Sequence, residues 1–578
     1  MKRRDFLHKC GCSGIGLVLP YYITSCSKLS DRVGSGEEYQ TDIVIIGGGL
    51  GGCAAAIAAC KQGMSVIMTE PTDWIGGQVS QQGVPPDEHQ WIESFGRTAN
   101  YARFRTMIRD FYKENYKLTE QALKAEYFNP GNGMVSRLCH EPKVAVKILQ
   151  AMLQPYINSG KLRIFLDTMP KEALVETDKV QAVACVNVLS GDEIVFYGDM
   201  FIDASEEGDL LPLTGTEYVL GAESHLQTGE PHAPEKANPG NIQALTWCFA
   251  IDHMEGQDHT IEKPDTYDFW REHIPDLDPP WSGKLLSLSY CNPRTLEAKA
   301  LSFAPPSKLE PAPYTSSLNL WLYRRIIDKN NFQTGSFESD ITLVNWPQND
   351  YMIGNITDVP EKERIQNLYQ AKQLSLSLLY WLQTEAPRPD GKQGWKGLRL
   401  RKDAFDTNDG LAKYPYIRES RRIKAEFTVY EQHLSLEERA KEYKNSDELV
   451  LASPFHDSVG IGYYHLDLHP STGGNNYIDM ASVPFQVPLG AMIPERMENL
   501  IPACKNIGTT HISNGCYRLH PVEWSIGEAA GQLCAYAIRK KIMPRAIRNT
   551  KKELLEFQSL LIKNGFELEW SKLKKYPS

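Results

Sequence analysis

Apolar and polar residues near position 40 follow one another in a pattern that predicts a strand, a helix and a second strand. Residues 41–46 are mostly β-branched and apolar, as in a strand buried on both faces. Residues 53–62 are rich in alanine and precede Gly63, which predicts a helix that ends at this glycine. Residues 65–69 predict the second strand. A β-α-β unit of this kind places the fold in the α/β class.

A run of glycines joins the first strand to the helix. Gly47, Gly49 and Gly52 match the pattern GxGxxG, and Gly51 lies within it. Such glycines allow a tight turn and let a pyrophosphate approach the amino end of the helix. Glu70 ends the second strand, where a carboxylate can accept a hydrogen bond from an adenosine ribose. This order of elements predicts a dinucleotide-binding site and leaves FAD and NAD both open.

Two further segments carry candidate cofactor contacts. Gly76 and Gly77, followed by Gln78, would let the backbone pass close to a flat ring system, and they equally suit an ordinary turn. A predicted strand then leads into an acidic loop that begins with Asp203 and Ala204. The acids of this loop meet either polar cofactor groups or water.

Near the carboxyl end, residues 522–541 predict a helix whose first turn begins at Pro521. Gly527 and Gly531 are four residues apart, so one face of this helix has no side chains at that level. Either another backbone or a flavin can approach such a face. If a flavin lies before Pro521, the positive end of the helix dipole would stabilise the negative charge of its reduced form.

Two polar stretches of the middle region suggest opposite environments. Residues 463–470 alternate, so in a strand His465, Asp467 and His469 would share one face and form a wall of an active site. We expect no metal there, because a solvated face explains the same pattern. The basic run Arg418–Lys424 is interpreted as a solvated strand end.

Several of these motifs resemble a known family. The segment Asp203–Asp209 is similar to the Asp-Ala-Thr-Gly-Asp-Gly-Asp segment of the FAD-dependent oxidoreductase family, bacterial flavoproteins with the glutathione-reductase-like FAD fold. In this chain Ser205-Glu206 replaces the usual Thr-Gly, and Cys504-Lys505 replaces the commoner Gly-Arg or Gly-Lys. Further segments that resemble the family, in family order, are Asn129–Gly133, Arg137–Pro142, Arg418–Ile423, Asn499–Ile507, His511, Gly515, Arg518, Pro521 and Gly527–Gly531.

The resemblance implies FAD as the cofactor and an α/β fold, in which a Rossmann-like, glutathione-reductase-type domain joins a discontinuous α+β substrate or cap domain. No second GxGxxG follows a strand, so we expect no separate nicotinamide domain. The residues implied to bind FAD are Gly47, Gly49, Gly51, Gly52, Glu70, Gly76, Gly77, Gln78, Asp203, Ala204 and Gly527. The expected division of the chain is a signal peptide at 1–26, a linker at 27–39, a first FAD-binding part at 40–215 with an inserted segment at 85–139, a cap domain at 216–483, a second FAD-binding part at 484–541 and a helical tail at 542–578.

The resemblance also places the stretch before residue 521 beside the flavin. Removal of a hydride from a carbon requires a base for the hydroxyl proton, and neutral imidazole suits this near neutral pH. We predict His520 and His511 as candidates for the base, and Arg518 as the group that orients the substrate or stabilises charge on the flavin. A structural hydrogen-bonding role is open for each of them, and Arg137 and His140 form a second set.

The first 26 residues predict an export signal. Arg3 and Arg4 precede Phe6-Leu7 and an apolar stretch, which resembles a twin-arginine signal. The end of that stretch, Ile23 to Cys26, is similar to a bacterial lipobox and implies a lipid anchor at Cys26 in a periplasmic or cell-envelope protein. The cysteines after Cys26 are scattered singly, which favours buried thiols over a disulfide framework.

Composition narrows the function further. A chain of 578 residues with 42% hydrophobic and 23% charged residues is globular and long enough for several cores. Its net charge of −10 argues against a nucleic-acid partner. We therefore predict an exported FAD-dependent oxidoreductase that oxidises a small polar substrate, such as a sugar derivative, by hydride transfer to flavin and passes electrons to an acceptor other than NAD. Two alternatives stay open, which are a flavin reductase of an unsaturated acid that resembles fumarate reductase, and a non-redox lyase or polysaccharide-binding lipoprotein with structural FAD.

Overall fold

The structure is a computed structural model that describes residues 37–305, 318–443 and 449–573. The predicted signal peptide, with Cys26, lies outside these residues. The α-helices are α1 (Leu50–Lys61), α2 (Ala99–Asn115), α3 (Glu120–Lys124), α4 (Pro142–Asn158), α5 (Leu210–Thr214), α6 (His225–Thr228), α7 (Tyr267–Glu272), α8 (Leu320–Tyr323), α9 (Glu361–Thr384), α10 (Leu436–Glu442), α11 (His511–Tyr517), α12 (His520–Lys540), α13 (Pro544–Asn549) and α14 (Lys551–Lys563).

The β-strands are β1 (Glu37–Ile46), β2 (Val66–Thr69), β3 (Leu162–Phe165), β4 (Thr168–Glu176), β5 (Lys179–Asn187), β6 (Glu193–Asp203), β7 (Tyr218–Val219), β8 (Leu245–Thr246), β9 (Phe249–His253), β10 (Ser289–Cys291), β11 (Ala298–Ala300), β12 (Arg325–Ile327), β13 (Ile341–Val344), β14 (Asp350–Tyr351), β15 (Leu398–Leu400), β16 (Arg422–Ile423), β17 (Ser458–Gly462), β18 (Leu466–Leu468), β19 (Ile478–Met480), β20 (Phe485–Pro488) and β21 (Leu500–Pro502).

A seven-stranded sheet forms the centre of the α/β part, in the order β3-β2-β1-β6-β5-β4, with β21 also paired to β6. The first half of β6 pairs with antiparallel β5, and its second half pairs with parallel β21. Strands β1, β2 and β3 are parallel to one another, and β1 is parallel to β6. Because parallel strands end at one edge of a sheet, the loops after β1, β2, β6 and β21 meet there.

The first strand begins earlier than the sequence pattern indicates. Glu37, Glu38 and Tyr39 belong to β1 and lie opposite residues 194–196 of β6. The last three residues of the predicted linker 27–39 are therefore part of the sheet. Their alternating and partly exposed side chains hide the strand from a search for apolar runs, whereas backbone pairing with β6 extends it.

Helix α12 crosses α1 at unusually close range. A Cβ atom at Gly527 would lie 2.1 Å from the carbonyl oxygen of Gly51, and one at Gly531 would lie 2.3 Å from that of Ala55. The approach to these glycines is therefore made by the backbone of α1. Helix packing fills the space that the missing side chain of Gly527 leaves, and the cofactor contact predicted for this residue stays a prediction.

The region between the two parts of the sheet mixes helices with small antiparallel sheets. The largest of these sheets has the order β12-β13-β9-β15, and α9 is the longest helix of the described cap residues. At the carboxyl end, α14 buries Leu554, Phe557 and Leu561 against its own protein, as its amphipathic pattern predicts. The nine described cysteines are free and buried, which confirms the interpretation of their scattered spacing.

None of the helices within residues 37–305, 318–443 and 449–573 is long and apolar enough to cross a membrane.

Candidate functional site

The glycine turn after β1 forms the floor of the candidate site. Gly47 has a φ of +102°, and a Cβ atom there would lie 2.3 Å from the carbonyl oxygen of Ala204. A Cβ atom at Gly52 would lie 2.0 Å from the carbonyl oxygen of Gly47. The turn thus depends on glycine for both its backbone conformation and its close packing on the end of β6. We call this turn, residues 47–52, the glycine cradle.

The second pair of glycines packs directly on the cradle. The N–H of Gly76 donates a hydrogen bond to the carbonyl oxygen of Gly48 at 2.8 Å. Gly76 and Gly77 have φ values of +112° and +56°, which side chains rarely adopt. A Cβ atom at Gly77 would lie 3.1 Å from the Cα atom of Gly49. The structure therefore brings together the two glycine motifs that the sequence separates by about 25 residues.

Glu70 lies beside the cradle at the end of β2, as predicted. Its carboxylate accepts hydrogen bonds from the N–H of Gly48 at 3.1 Å and from the N–H and hydroxyl of Thr72 at 3.0 and 2.9 Å. Burial raises the pKa of this carboxyl group to about 8, and the bonds from Thr72 oppose that shift.

Asp203 holds its own loop in shape, and the cofactor contact predicted for it stays a prediction. Its carboxylate accepts hydrogen bonds from the N–H and hydroxyl of Ser205 at 3.1 and 2.6 Å, and from the N–H of Leu210 at 3.0 Å. Both oxygens are therefore used within its own loop. Asp203 holds the loop after β6 in shape, and the backbone of Ala204 lies against Gly47.

A second layer of buried polar groups closes over the cradle. Glu523 of α12 accepts a hydrogen bond from the N–H of Gly51 at 3.1 Å and another from the amide of Gln78. Lys505 forms an ion pair with Glu206, and both residues stand where the resembled family has other residue types. Burial raises the pKa of Glu523. The replacements at 206 and 505 are thus paired with each other.

A buried charged cluster adjoins this layer, and we call it the arginine cluster: Asp87, Arg324, Tyr416, Asp467 and Arg518. Arg518 donates hydrogen bonds to the Tyr416 hydroxyl at 2.6 Å and to Asp467 at 2.9 Å. Arg324 lies 3.8 Å from Asp87. The carbonyl oxygen of Arg518 accepts a hydrogen bond from the Gln78 amide at 2.9 Å, so this residue connects the cluster with the cradle layer.

The predicted polar wall borders the cluster. His469 lies 3.7 Å from Asp467, and His465 is bound to Asp479 at 2.7 Å. The ligand atoms of His465, Asp467 and Asp479 lie within 4.8 Å of one another. Arginine side chains already bind both carboxylates, since Arg518 contacts Asp467 and Arg294 contacts Asp479 at 3.3 Å.

The free ring nitrogen of His520, Nε2, is placed as a hydrogen-bond donor. The ring Nδ1 of His520 accepts a hydrogen bond from the N–H of Asp87 at 3.0 Å, so the proton of the neutral ring is on Nε2. Burial lowers the pKa of His520 to about 3, which keeps the ring neutral. The lone pair that a base requires is already used, and this geometry argues against the base role predicted for His520.

His511 belongs to a separate network. The ring Nδ1 of His511 lies 2.9 Å from Glu419, and its backbone N–H donates a hydrogen bond to Glu223 at 2.9 Å. Glu419 also binds Arg422 at 2.5 Å, and both side chains are fully buried. The run Arg418–Lys424 is thus mostly buried, and its interpretation as a solvated strand end is wrong. Arg418 and Arg422 are held inside the protein by Asp350 and Glu419.

Sequence reasoning missed Asp87, Arg324 and Tyr416. Asp87 precedes a stretch without periodic pattern, and Tyr416 lies in an irregular segment. Arg324 carried a usable signal, because it follows the short apolar helix α8 with a second arginine directly after it. Paired arginines at the end of a buried helix have to find acceptors inside the protein.

Comparison with known proteins identifies the family. The family model described as FAD dependent oxidoreductase matches residues 42–561. The chain belongs to the FAD dependent oxidoreductase family. It is an oxidoreductase with FAD as its cofactor. No curated protein matches the chain.

Solved structures similar to this family member include several named flavoproteins. A geranylgeranyl bacteriochlorophyll reductase-like protein of Thermoplasma acidophilum is 11% identical, with 92% of this chain and 85% of that chain covered and a TM-score of 0.29. A mutant of the E. coli quinol fumarate reductase FrdA is 10% identical, with 91% and 74% covered and a TM-score of 0.32. L-proline dehydrogenase of P. horikoshii is 15% identical, with 32% of this chain and only 24% of that chain covered and a TM-score of 0.16. Because these TM-scores are below 0.5, we base the assignment on the family match and on the site residues.

The residues of the cradle fit FAD. Several buried polar atoms along it lack a hydrogen-bond partner among the described residues, namely Oε1 of Gln78, Oε1 of Glu206 and both amide atoms of Gln82. Buried polar atoms without partners indicate a ligand or ordered water. The raised pKa values of Glu70 and Glu523 reduce the negative charge beside a pyrophosphate. The residues that would hold FAD are Gly47, Gly49, Gly51, Gly52, Glu70, Gly76, Gly77, Gln78 and Ala204.

Proposed function

We propose that this FAD oxidoreductase transfers a hydride between FAD and a small polar substrate bound at the arginine cluster, in a domain of the glutathione-reductase type. The observation that carries the proposal is the position of Arg518. Its backbone is bound to Gln78 beside the cradle, while its guanidinium is bound to Asp467 and Tyr416 in the cluster. Bound FAD supplies the hydride acceptor, and Arg518 orients the substrate next to it.

The protein's own residues support oxidation of a hydroxyl-bearing substrate such as a sugar derivative. Tyr416, Asp467 and His469 offer donors and acceptors that suit hydroxyl groups. His140 offers an unpartnered Nε2, because its Nδ1 is bound to the carbonyl oxygen of Glu141 at 3.0 Å. We assign the proton-accepting role to this nitrogen in place of His520. Electrons would leave to an acceptor other than NAD, since the chain carries no second GxGxxG after a strand.

A second candidate is reduction of an unsaturated acid. The observation that favours it is the presence of two buried guanidinium groups, Arg324 and Arg518, in the same cluster. A guanidinium binds a carboxylate through two parallel hydrogen bonds and can stabilise negative charge that develops during reduction.

The visible spectrum of the purified mature protein tests the proposal. We expect a flavin absorption band that one member of a panel of sugars, hydroxy acids and organic acids bleaches under anaerobic conditions. Bleaching by a hydroxyl compound supports oxidation, whereas reoxidation of dithionite-reduced enzyme by an unsaturated acid supports the second candidate. A yellow protein that cleaves a polysaccharide without any change in its spectrum would show that the flavin is structural.

We also propose that the protein is exported and anchored to the membrane through a lipid on Cys26. The support is the twin-arginine pattern followed by the lipobox-like residues 23–26. The substitution Cys26→Ser is expected to move the protein from the membrane fraction to the soluble fraction of the cell envelope. Recovery of the variant in the membrane fraction at the wild-type level would contradict the anchor.

A further inference from the structure

Arg324 is a buried cation without a hydrogen bond at two of its nitrogens. Its side chain is only 10% exposed, and its contact with Asp87 at 3.8 Å is too long for a hydrogen bond. Its Nε and Nη1 atoms have no partner among the described residues. A buried guanidinium that is left unsatisfied is strongly unfavourable, so these donors point to a group that binds them.

Arg518 shows the same deficit in the same cluster. Its Nη1 and Nη2 atoms are bound to Tyr416 and Asp467, whereas its Nε atom has no partner within the part of the chain that the structure describes. The two arginines share surroundings, since Arg324 lies 3.8 Å from Asp87, and the backbone N–H of Asp87 is bound to His520, two residues after Arg518. Unpartnered N–H donors from two permanent cations therefore lie in one buried place.

The acids nearby form ion pairs with the two arginines, and they make no hydrogen bond to these unpartnered donors within the described residues. Asp467 is already bound by Arg518 and approached by His469. Asp87 stands beyond hydrogen-bond distance from Arg324. The centroid of the Tyr323 ring lies 5.0 Å from the Arg324 guanidinium, at a distance that suits a cation–π contact. The missing partner is thus an acceptor that carries negative charge.

A groove begins at Glu88, the residue that follows Asp87 of the cluster. It has a volume of about 550 Å³ and is lined by residues 88–90 and by residues of the loop 129–137. This loop is fastened to the helix before Arg324, because the N–H of Val135 donates to the carbonyl oxygen of Tyr323 at 3.0 Å. The exposed Arg137 at the rim adds a further positive charge. The groove is large enough for a molecule of the size of a monosaccharide acid.

We propose that the substrate carries a carboxylate, and that Arg324 together with Arg518 binds this group. A planar guanidinium binds a carboxylate with two parallel hydrogen bonds, from Nη2 together with either Nε or Nη1, so one carboxylate can satisfy one of the two unpartnered donors of Arg324. This inference rests on the proposed function, since it names the substrate class of the same site. Arg324 determines the specificity for acids, and Arg518 both binds the carboxylate and orients the substrate.

Binding of matched acids and neutral compounds to the FAD-loaded protein tests the inference. The pairs are glucuronate with glucose, lactate with propane-1,2-diol and succinate with butane-1,4-diol, measured by calorimetry and by shifts of the flavin spectrum. We expect at least one acid to bind 30-fold or more tightly than its neutral partner. Arg324→Leu is expected to weaken the binding of that acid about 100-fold or more, and Arg324→Lys is expected to weaken it by an intermediate factor.

Two further readouts separate binding from folding. Because Arg324→Leu leaves buried Asp87 without its ion-pair partner, the ligand-free variant is expected to melt at a lower temperature than the wild type, so acid binding is compared below that temperature. Its FAD content is expected to be unchanged, and a loss of FAD would show that the cofactor is the partner of Arg324 and overturn the inference. Arg163→Leu, at an exposed arginine of β3, serves as the control and is expected to bind the acid normally.

The outcomes for the substrate class and for the reaction are distinguishable. If no acid binds, or if Arg324→Leu binds it as well as the wild type, the inference is overturned. If a neutral sugar bleaches the flavin while no acid binds, the proposed oxidation stands and the carboxylate assignment fails. If an acid binds through Arg324 but no redox change occurs in either direction, the assignment stands and the proposed function fails.

Discussion

Gly527→Ala is expected to lower the free energy of unfolding by about 3 kcal/mol or more, because a methyl group has no room between two packed helices. The Cβ atom would lie 2.1 Å from the carbonyl oxygen of Gly51 and 2.6 Å from its Cα atom. These are backbone atoms of the glycine cradle, so α12 must separate from α1 to admit the methyl group. We also expect the variant to lose FAD, as measured by its absorbance per protein after gel filtration.

Urea unfolding of the variant and of a matched control provides the measurement. Gly240→Ala is the control, since its Cβ atom would meet its nearest atoms at 3.4 and 3.9 Å, which are ordinary contact distances. This control is expected to change the free energy of unfolding by less than about 1 kcal/mol. If both variants unfold alike and retain FAD, the close helix packing described for Gly527 is wrong.

Glu419→Gln is expected to cost about 3 kcal/mol of stability at pH 7, since it removes one of the two carboxylates that bind the buried Arg422, the other being Glu223. Glu419 binds Arg422 at 2.5 Å and His511 at 2.9 Å, and both Glu419 and Arg422 are fully buried. These partners hold the pKa of Glu419 at about 2, below its ordinary 4.5. A lowered carboxyl pKa gives stability that is present above pH 4.5 and is lost as the pH falls toward 2.

The pH dependence separates this effect from a general loss of packing. The difference in unfolding free energy between wild type and Glu419→Gln is expected to shrink as the pH falls from 4.5 toward 2. Glu120→Gln, which removes an exposed pair with Lys124, serves as the control and is expected to have little effect at any pH. A pH-independent difference for Glu419→Gln would contradict an ionised, paired Glu419.

The sequence by itself determined the local parts of this protein. The glycine run, the flanking strands and Glu70 predict the cradle correctly, because a β-α-β unit is specified by short-range patterns of apolar residues and glycines. The scattered spacing of the cysteines likewise predicts buried thiols correctly. Motifs spread along the chain gave the family, which the family model confirmed.

Only the tertiary structure decided how charged residues are used. Arg418–Lys424 looks like a solvated run, yet Arg418 and Arg422 are buried because distant segments supply counterions, Asp350 for Arg418 and Glu223 for Arg422. The sequence allowed either a flavin or another backbone to approach Gly527, and in the tertiary structure the backbone of α1 lies there. Arg324 and Arg518 meet although nearly 200 residues separate them. Spacing in a sequence records local periodicity, whereas the partner of a buried charge is chosen by long-range packing.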